Sequence, residues 1–139
     1  MSSIRRQINI SASPTTVWRA LTTADGWKSW YADDARIDGR AGGRVVLTTE
    51  DDDGNPVEEV GIIHTWRPTS RLEIAWDNNS KAVTKGTRVT FNIARDGEET
   101  RLSLIHAGAG VLEDVAGAKA LDDAWRRALT ALREGLEGA

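Results

Sequence analysis

At 139 residues the chain fits one domain, residues 1–139, large enough to bury its own core without a metal or disulfide staple. It contains no cysteine, which excludes disulfides, thiolate metal sites and a cysteine nucleophile, and suits a reducing, cytoplasmic setting. A net charge of −3, with acids and bases interleaved, leaves no basic stripe for a phosphate backbone, so no nucleic-acid partner is expected.

The N-terminal Met1-Ser2-Ser3-Ile4-Arg5-Arg6 lacks the apolar run of an export signal, and no window approaches membrane-spanning length. Membrane insertion is therefore not expected, and the sequons Asn9-Ile10-Ser11 and Asn78-Asn79-Ser80 should stay unmodified. Ile4, Ile8 and Ile10 alternate with polar residues and predict a half-buried first strand. Arg6 breaks that pattern on the inward phase, where it can reach a ligand carboxylate or solvent. Ser13-Pro14 starts a helix of about two turns, the serine capping free N–H groups and the proline losing no hydrogen bond at the first helical position. Val17, Trp18, Ala20 and Leu21 give that helix its apolar side. A second short helix spans Asp25 to Trp30, with Trp27 and Trp30 on one face.

Strands follow. Ala35 to Asp38 is a short candidate, Gly39 to Gly43 turns the chain, and Arg44 to Glu50 is rich in Val and Thr. Asp53-Gly54 signals a hairpin, and Val57 to Trp66 returns. Leu72, Ile74 and Trp76 alternate with polar or small residues, as do Val89, Phe91 and Ile93, then Leu102, Leu104 and His106. Asp96-Gly97 joins the last two. One dry and one wet face describe an antiparallel sheet covered on one side. The cover is a long terminal helix, with Leu121, Trp125, Ala128, Leu129, Leu132 and Leu136 at helical spacing. Gly108, Gly110 and Gly117 all weaken the segment before Lys119, so the pattern leaves its start open.

This order predicts an α+β helix-grip fold: a curved antiparallel sheet of six or seven strands around a long C-terminal helix, with two short helices after strand 1. The segment Ile10-Ser11-Ala12-Ser13-Pro14-Thr15-Thr16-Val17-Trp18-Arg19-Ala20-Leu21-Thr22 resembles the opening signature of the family related to the activator of heat-shock protein 90 ATPase. Trp27 and Trp30-Tyr31 match its aromatic pair. Gly61, Trp66-Arg67-Pro68, Arg71-Leu72 and Ala75-Trp76 resemble its central hairpin, Thr100 to His106 its last strand, and Trp125, Leu129 and Leu132 its terminal helix. Ala124 stands where the family has glycine. The resemblance spans nearly the whole chain and implies the START and Bet v 1-like superfamily, whose members hold apolar ligands between sheet and helix.

Six tryptophans beside one tyrosine and one phenylalanine are the conspicuous compositional feature. Trp76 and Trp125 fall on inward phases, while Trp30, Tyr31 and Trp66 lie near element ends, where a cavity mouth would be. With Phe91, Leu104 and Leu129 as floor and wall, they form the expected ligand-binding set, their indole N–H groups orienting the guest. Trp18 reads as core filling. His64 and His106 are the only histidines. His64 shares a strand side with Ile62 and Trp66, and becomes the polar handle if that side is the inner one. His106 reads as a structural hydrogen bond, or as acid or base in an enzyme.

No metal site and no cofactor are expected. Two histidines without ligand spacing do not hold zinc. In Glu50-Asp51-Asp52-Asp53-Gly54-Asn55 a calcium loop fails on register, with Thr49 and Val60 at its end positions. Gly39 to Gly43 lacks a phosphate-binding lysine. The expected partner is a small apolar molecule, with the protein a monomer or weak homodimer. The expected function is binding that molecule by desolvation. A polyketide cyclase or dehydratase-like enzyme using His64 or His106 is the alternative, and a co-chaperone-like interaction role is the third. Binding requires the apolar stripe of 119–136 to lie in the sheet's concavity without filling it.

Overall fold

The computed structural model describes residues 3–138. Its strands are β1 (Ser3–Ile10), β2 (Asp34–Ile37), β3 (Arg44–Glu50), β4 (Pro56–Arg67), β5 (Arg71–Trp76), β6 (Thr87–Asp96) and β7 (Glu99–Gly108). The helices are α1 (Pro14–Thr22), α2 (Ala24–Trp30) and α3 (Val115–Glu137), with a single 3-10 turn at Gly110–Glu113. All seven strands join one antiparallel sheet in the order β1-β7-β6-β5-β4-β3-β2. Among the described residues no helix is long and apolar enough to cross a membrane.

Local chemistry sets the element ends. Ser13 Oγ accepts from the Thr16 N–H at 3.1 Å, with Pro14 at the first helical position. Thr23 caps twice: its backbone N–H closes α1 on the Arg19 carbonyl, and its hydroxyl oxygen accepts from Gly26 at 2.9 Å to open α2. α3 begins at Val115, four residues before Lys119, because the Asp114 carboxylate accepts from the Gly117 N–H at 2.9 Å. That cap offsets the helix-weakening effect of Gly117.

The concave face of the sheet presents Leu72, Ile74, Val89, Phe91, Ile93, Leu102 and Leu104, all buried, to Trp125, Leu129 and Leu132 of α3 and to α1 and α2. Arg6 does not reach for a ligand. Its Nε and Nη2 donate to the two carboxylate oxygens of Asp122 at 2.8 and 3.0 Å, tying β1 to the first half of α3.

β4 corrects the expected phase. Gly61 and Ile63 face inward opposite Trp76 and Ile74, but the pairing shifts between Ile63 and Thr65, and His64 is the extra residue of a β-bulge. Thr65 then pairs with outward Glu73, and Trp66 with inward Leu72. His64 and Trp66 therefore lie on opposite faces. The His64 side chain is 57% exposed, with Nδ1 3.4 Å from Glu73 Oε1, so it is no polar handle for the interior.

Candidate functional site

The interior between sheet and α3 holds a cluster of touching aromatic rings. Trp27 stacks on Trp30 with centroids 4.8 Å apart, and Tyr31 stacks on Trp125 at 5.4 Å. Phe91 meets the edges of Trp27 and Trp125, each at 6.0 Å. The short α2 helix makes this possible by delivering Trp27, Trp30 and Tyr31 within one turn and a half. Two of their indoles are committed to structure: Trp27 Nε1 donates to the Leu21 carbonyl at 2.7 Å, and Trp30 Nε1 to the Ala20 carbonyl at 3.0 Å. They lock α2 to α1 and leave no free N–H.

Threaded around these rings is a largely buried polar circuit, with Tyr31 half-buried at its edge. Trp125 Nε1 donates to His106 Nδ1 at 2.9 Å, and His106 Nε2 lies 2.7 Å from Thr87 Oγ1. An indole can only donate, so Nδ1 is bare and the imidazole proton sits on Nε2, donated to Thr87. The Thr87 hydroxyl passes the chain on to the Thr84 carbonyl. The Thr84 hydroxyl donates to Glu59 Oε2, and the Tyr31 hydroxyl donates to Glu59 Oε1 at 2.6 Å. Tyr31 then stacks on Trp125, closing the circuit. Strands β4, β6 and β7, helix α3 and the Tyr31 cap of α2 contribute, together with the 77–86 loop that carries Thr84.

Burial sets the charges. Desolvation lowers the His106 pKa to about 4, which keeps the ring neutral as the Trp125 bond demands. Desolvation raises the Glu59 carboxyl above its ordinary value, opposed by the hydroxyls of Thr84 and Tyr31. Glu59 is 3% exposed, and no ion pair involves it among the described residues. The Tyr31 hydroxyl is held well above the usual phenol range by burial and by the neighbouring carboxylate.

Trp76 adds the last element. Its ring lies across Gly61, where an added methyl would come within 2.7 Å of Trp76 Cε3, so only glycine admits it. Gly61 is two residues from Glu59 on the same face of β4 and pairs with Trp76 of β5, so Glu59 and Trp76 enter the interior from adjoining positions of the β4–β5 ladder. Trp76 Nε1 is the one buried side-chain nitrogen or oxygen without a hydrogen-bond partner among the described residues.

Of the residues expected to bind a ligand, Trp30, Tyr31, Phe91 and Trp125 are in ring contact, Leu104 pairs with Phe91, and Leu129 is buried beside them. Trp66 belongs instead to a separate pair with Trp18, centroids 5.0 Å apart. His64 lies on the convex face. Glu59, Thr84 and Thr87 were not expected. Two open depressions, of about 560 and 310 Å³, lie away from this interior, one lined by Ser11 to Ser13 with Arg95, Glu98 and Glu99, the other by Arg36 to Asp38 with Arg44 and Val46.

A seven-stranded antiparallel sheet gripping a long C-terminal helix around such an interior is a helix-grip fold. Within it, residues 11–137 match the family described as activator of Hsp90 ATPase homolog 1-like protein, and the chain belongs to that family. It is similar to the Aha1 dimer from Colwellia psychrerythraea, with 23% identity and a TM-score of 0.81 over 99% of this chain and 97% of that one. CalU16 from Micromonospora echinospora is 25% identical, with a TM-score of 0.73 over 94% of this chain and 73% of its own. DynU16, a protein of the dynemicin biosynthetic locus, is 18% identical, with a TM-score of 0.79 over 99% of this chain and 48% of its own. No curated protein matches the chain.

Proposed function

We propose that the chain binds a small hydrophobic or aromatic molecule between the sheet and α3, beside the circuit running from Glu59 to His106. That circuit is the observation supporting the reading. Replacing buried polar networks by apolar residues of similar shape is often neutral or stabilising, so stability alone gives little reason to keep one here. The unfilled space expected between sheet and α3 is not found among the described residues: Tyr31 and Trp125 already touch and the open depressions lie elsewhere, so a guest has to part that stack to take its place against the rings. The driving force is desolvation, about 25 cal/mol per Å² of apolar area removed from water. In this reading the protein works in the cytoplasm as a monomer or weak homodimer.

Tryptophan emission titrated with lipids, flavonoids and aromatic acids tests it. One class should give saturable quenching that Trp125→Leu or Trp76→Leu abolishes. A flat response across the panel sinks the reading.

A cyclase- or dehydratase-like activity is the second reading, favoured by the 2.6 Å bond between Tyr31 and Glu59, two titratable groups facing an apolar interior. Under it Glu59 is the acid or base, since His106 has both ring nitrogens engaged and His64 faces outward. Glu59→Gln should then abolish turnover while leaving binding in place.

A further inference from the structure

We infer that the guest is an organic cation, an aromatic or apolar amine whose ammonium meets Glu59 and whose nearby oxygen or other acceptor takes the Trp76 N–H. The inference rests on the binding reading above and names the chemical class it serves.

Three observations carry it. First, the Glu59 carboxyl is buried with only hydroxyl donors, one on each oxygen, and no positive partner among the described residues. A carboxylate kept out of water in that state is uncompensated, and an ammonium is the group that compensates it best. Second, the walls beside it are electron-rich rings: Tyr31, bonded to Glu59 itself, with Trp125 stacked on it and Trp30 tilted 5.6 Å away. Ring faces attract cations, more strongly where water is excluded. Third, Trp76 Nε1 is buried, can only donate, and has no partner among the described residues, so a guest that reaches it gains by offering an acceptor.

The same features work against other guests. A carboxylate ligand would face Glu59 across the interior, and a purely apolar one would leave Glu59 without a positive partner and Trp76 Nε1 without an acceptor. Thr84 belongs to the 77–86 loop, so an ammonium can replace its hydroxyl on Glu59 Oε2 by displacing loop rather than core.

The test uses three probes of one shape: 4-phenylbutylamine, 4-phenylbutanol and 4-phenylbutyrate, titrated by calorimetry and by tryptophan emission. The amine should bind about tenfold or more tightly than the alcohol, as a charge-assisted bond implies, with the acid weakest. Glu59→Gln should bring amine and alcohol together, and Thr84→Val, which frees one carboxylate oxygen, should keep or strengthen the amine. If Glu59→Gln does not fold, the three affinities of the unaltered protein still decide. Equal binding of all three overturns the cation inference and leaves the binding reading standing. No binding of any overturns both.

Discussion

The Trp125 indole donates to the bare Nδ1 of His106 at 2.9 Å, joining the middle of α3 to the inner face of β7 and fixing the imidazole tautomer. An imidazole so placed is useful only while neutral. Its folded pKa of about 4 lies below the ordinary 6.5, so the unfolded chain binds the extra proton first. The contribution to stability is complete above about pH 6.5 and is lost as pH falls toward 4, a loss on the order of 3 kcal/mol. Urea unfolding of the wild type and of His106→Gln should therefore converge as the solution is acidified through this window. A constant gap between them would refute the assignment.

Glu59 runs the opposite way. Its folded pKa is raised above 4.5, so its contribution is complete below that value and declines as pH rises through the folded pKa. Tyr31→Phe removes the donor to Oε1 and should cost about 1–3 kcal/mol. The deficit should be larger at neutral pH than in acid, because the ionised carboxyl needs the donor more. Denaturant midpoints at two pH values check this, and a deficit that shrinks toward neutrality would contradict it.

Trp76 and Trp125 are both almost fully buried, yet only one has a bonded N–H. Trp76→Phe and Trp125→Phe remove similar volume, so their difference isolates the hydrogen bond. Trp125→Phe should be the more destabilising by about 1–3 kcal/mol, since it also leaves His106 Nδ1 unpaired. Thermal unfolding of the two variants decides, and equal losses would mean that the His106 bond contributes nothing.

The bidentate pair of Arg6 and Asp122 joins β1 to α3 with side chains 30% and 40% exposed. Water and salt screen such a pair. A double-mutant cycle with alanine should give a coupling of about 0.5–1 kcal/mol, falling in high salt. Coupling well above that, unchanged by salt, would show that the pair is effectively dry.

Much of the fold was legible because strands β5, β6 and β7 alternate cleanly and α3 repeats its apolar residues at helical spacing. β4 was not. Its inward positions are Val57, Glu59, Gly61 and Ile63, while Val60 and Ile62 face outward, so neither parity reads as the apolar side. The bulge at His64 then reverses the phase before Trp66 without glycine or proline to announce it. Glu59 was not singled out for the same reason, and Thr84 and Thr87 stand in and beside a loop whose return over β4 depends on Ser80 bonding the Glu58 carbonyl and the Val60 N–H. Such long-range closure leaves no local signature. The tryptophans were legible as a group, but which rings touch was decided by the turn from α2 into Tyr31.

The close stacking of Trp27 on Trp30 has an optical consequence. Indole transitions held at this distance and a fixed angle couple, and the coupling should give a paired positive and negative band in circular dichroism. Those bands depend on the mutual orientation of the two rings and not on helix content. The protein thus carries an internal gauge of its tertiary order, one that should fade as the interior loosens while the helical bands persist.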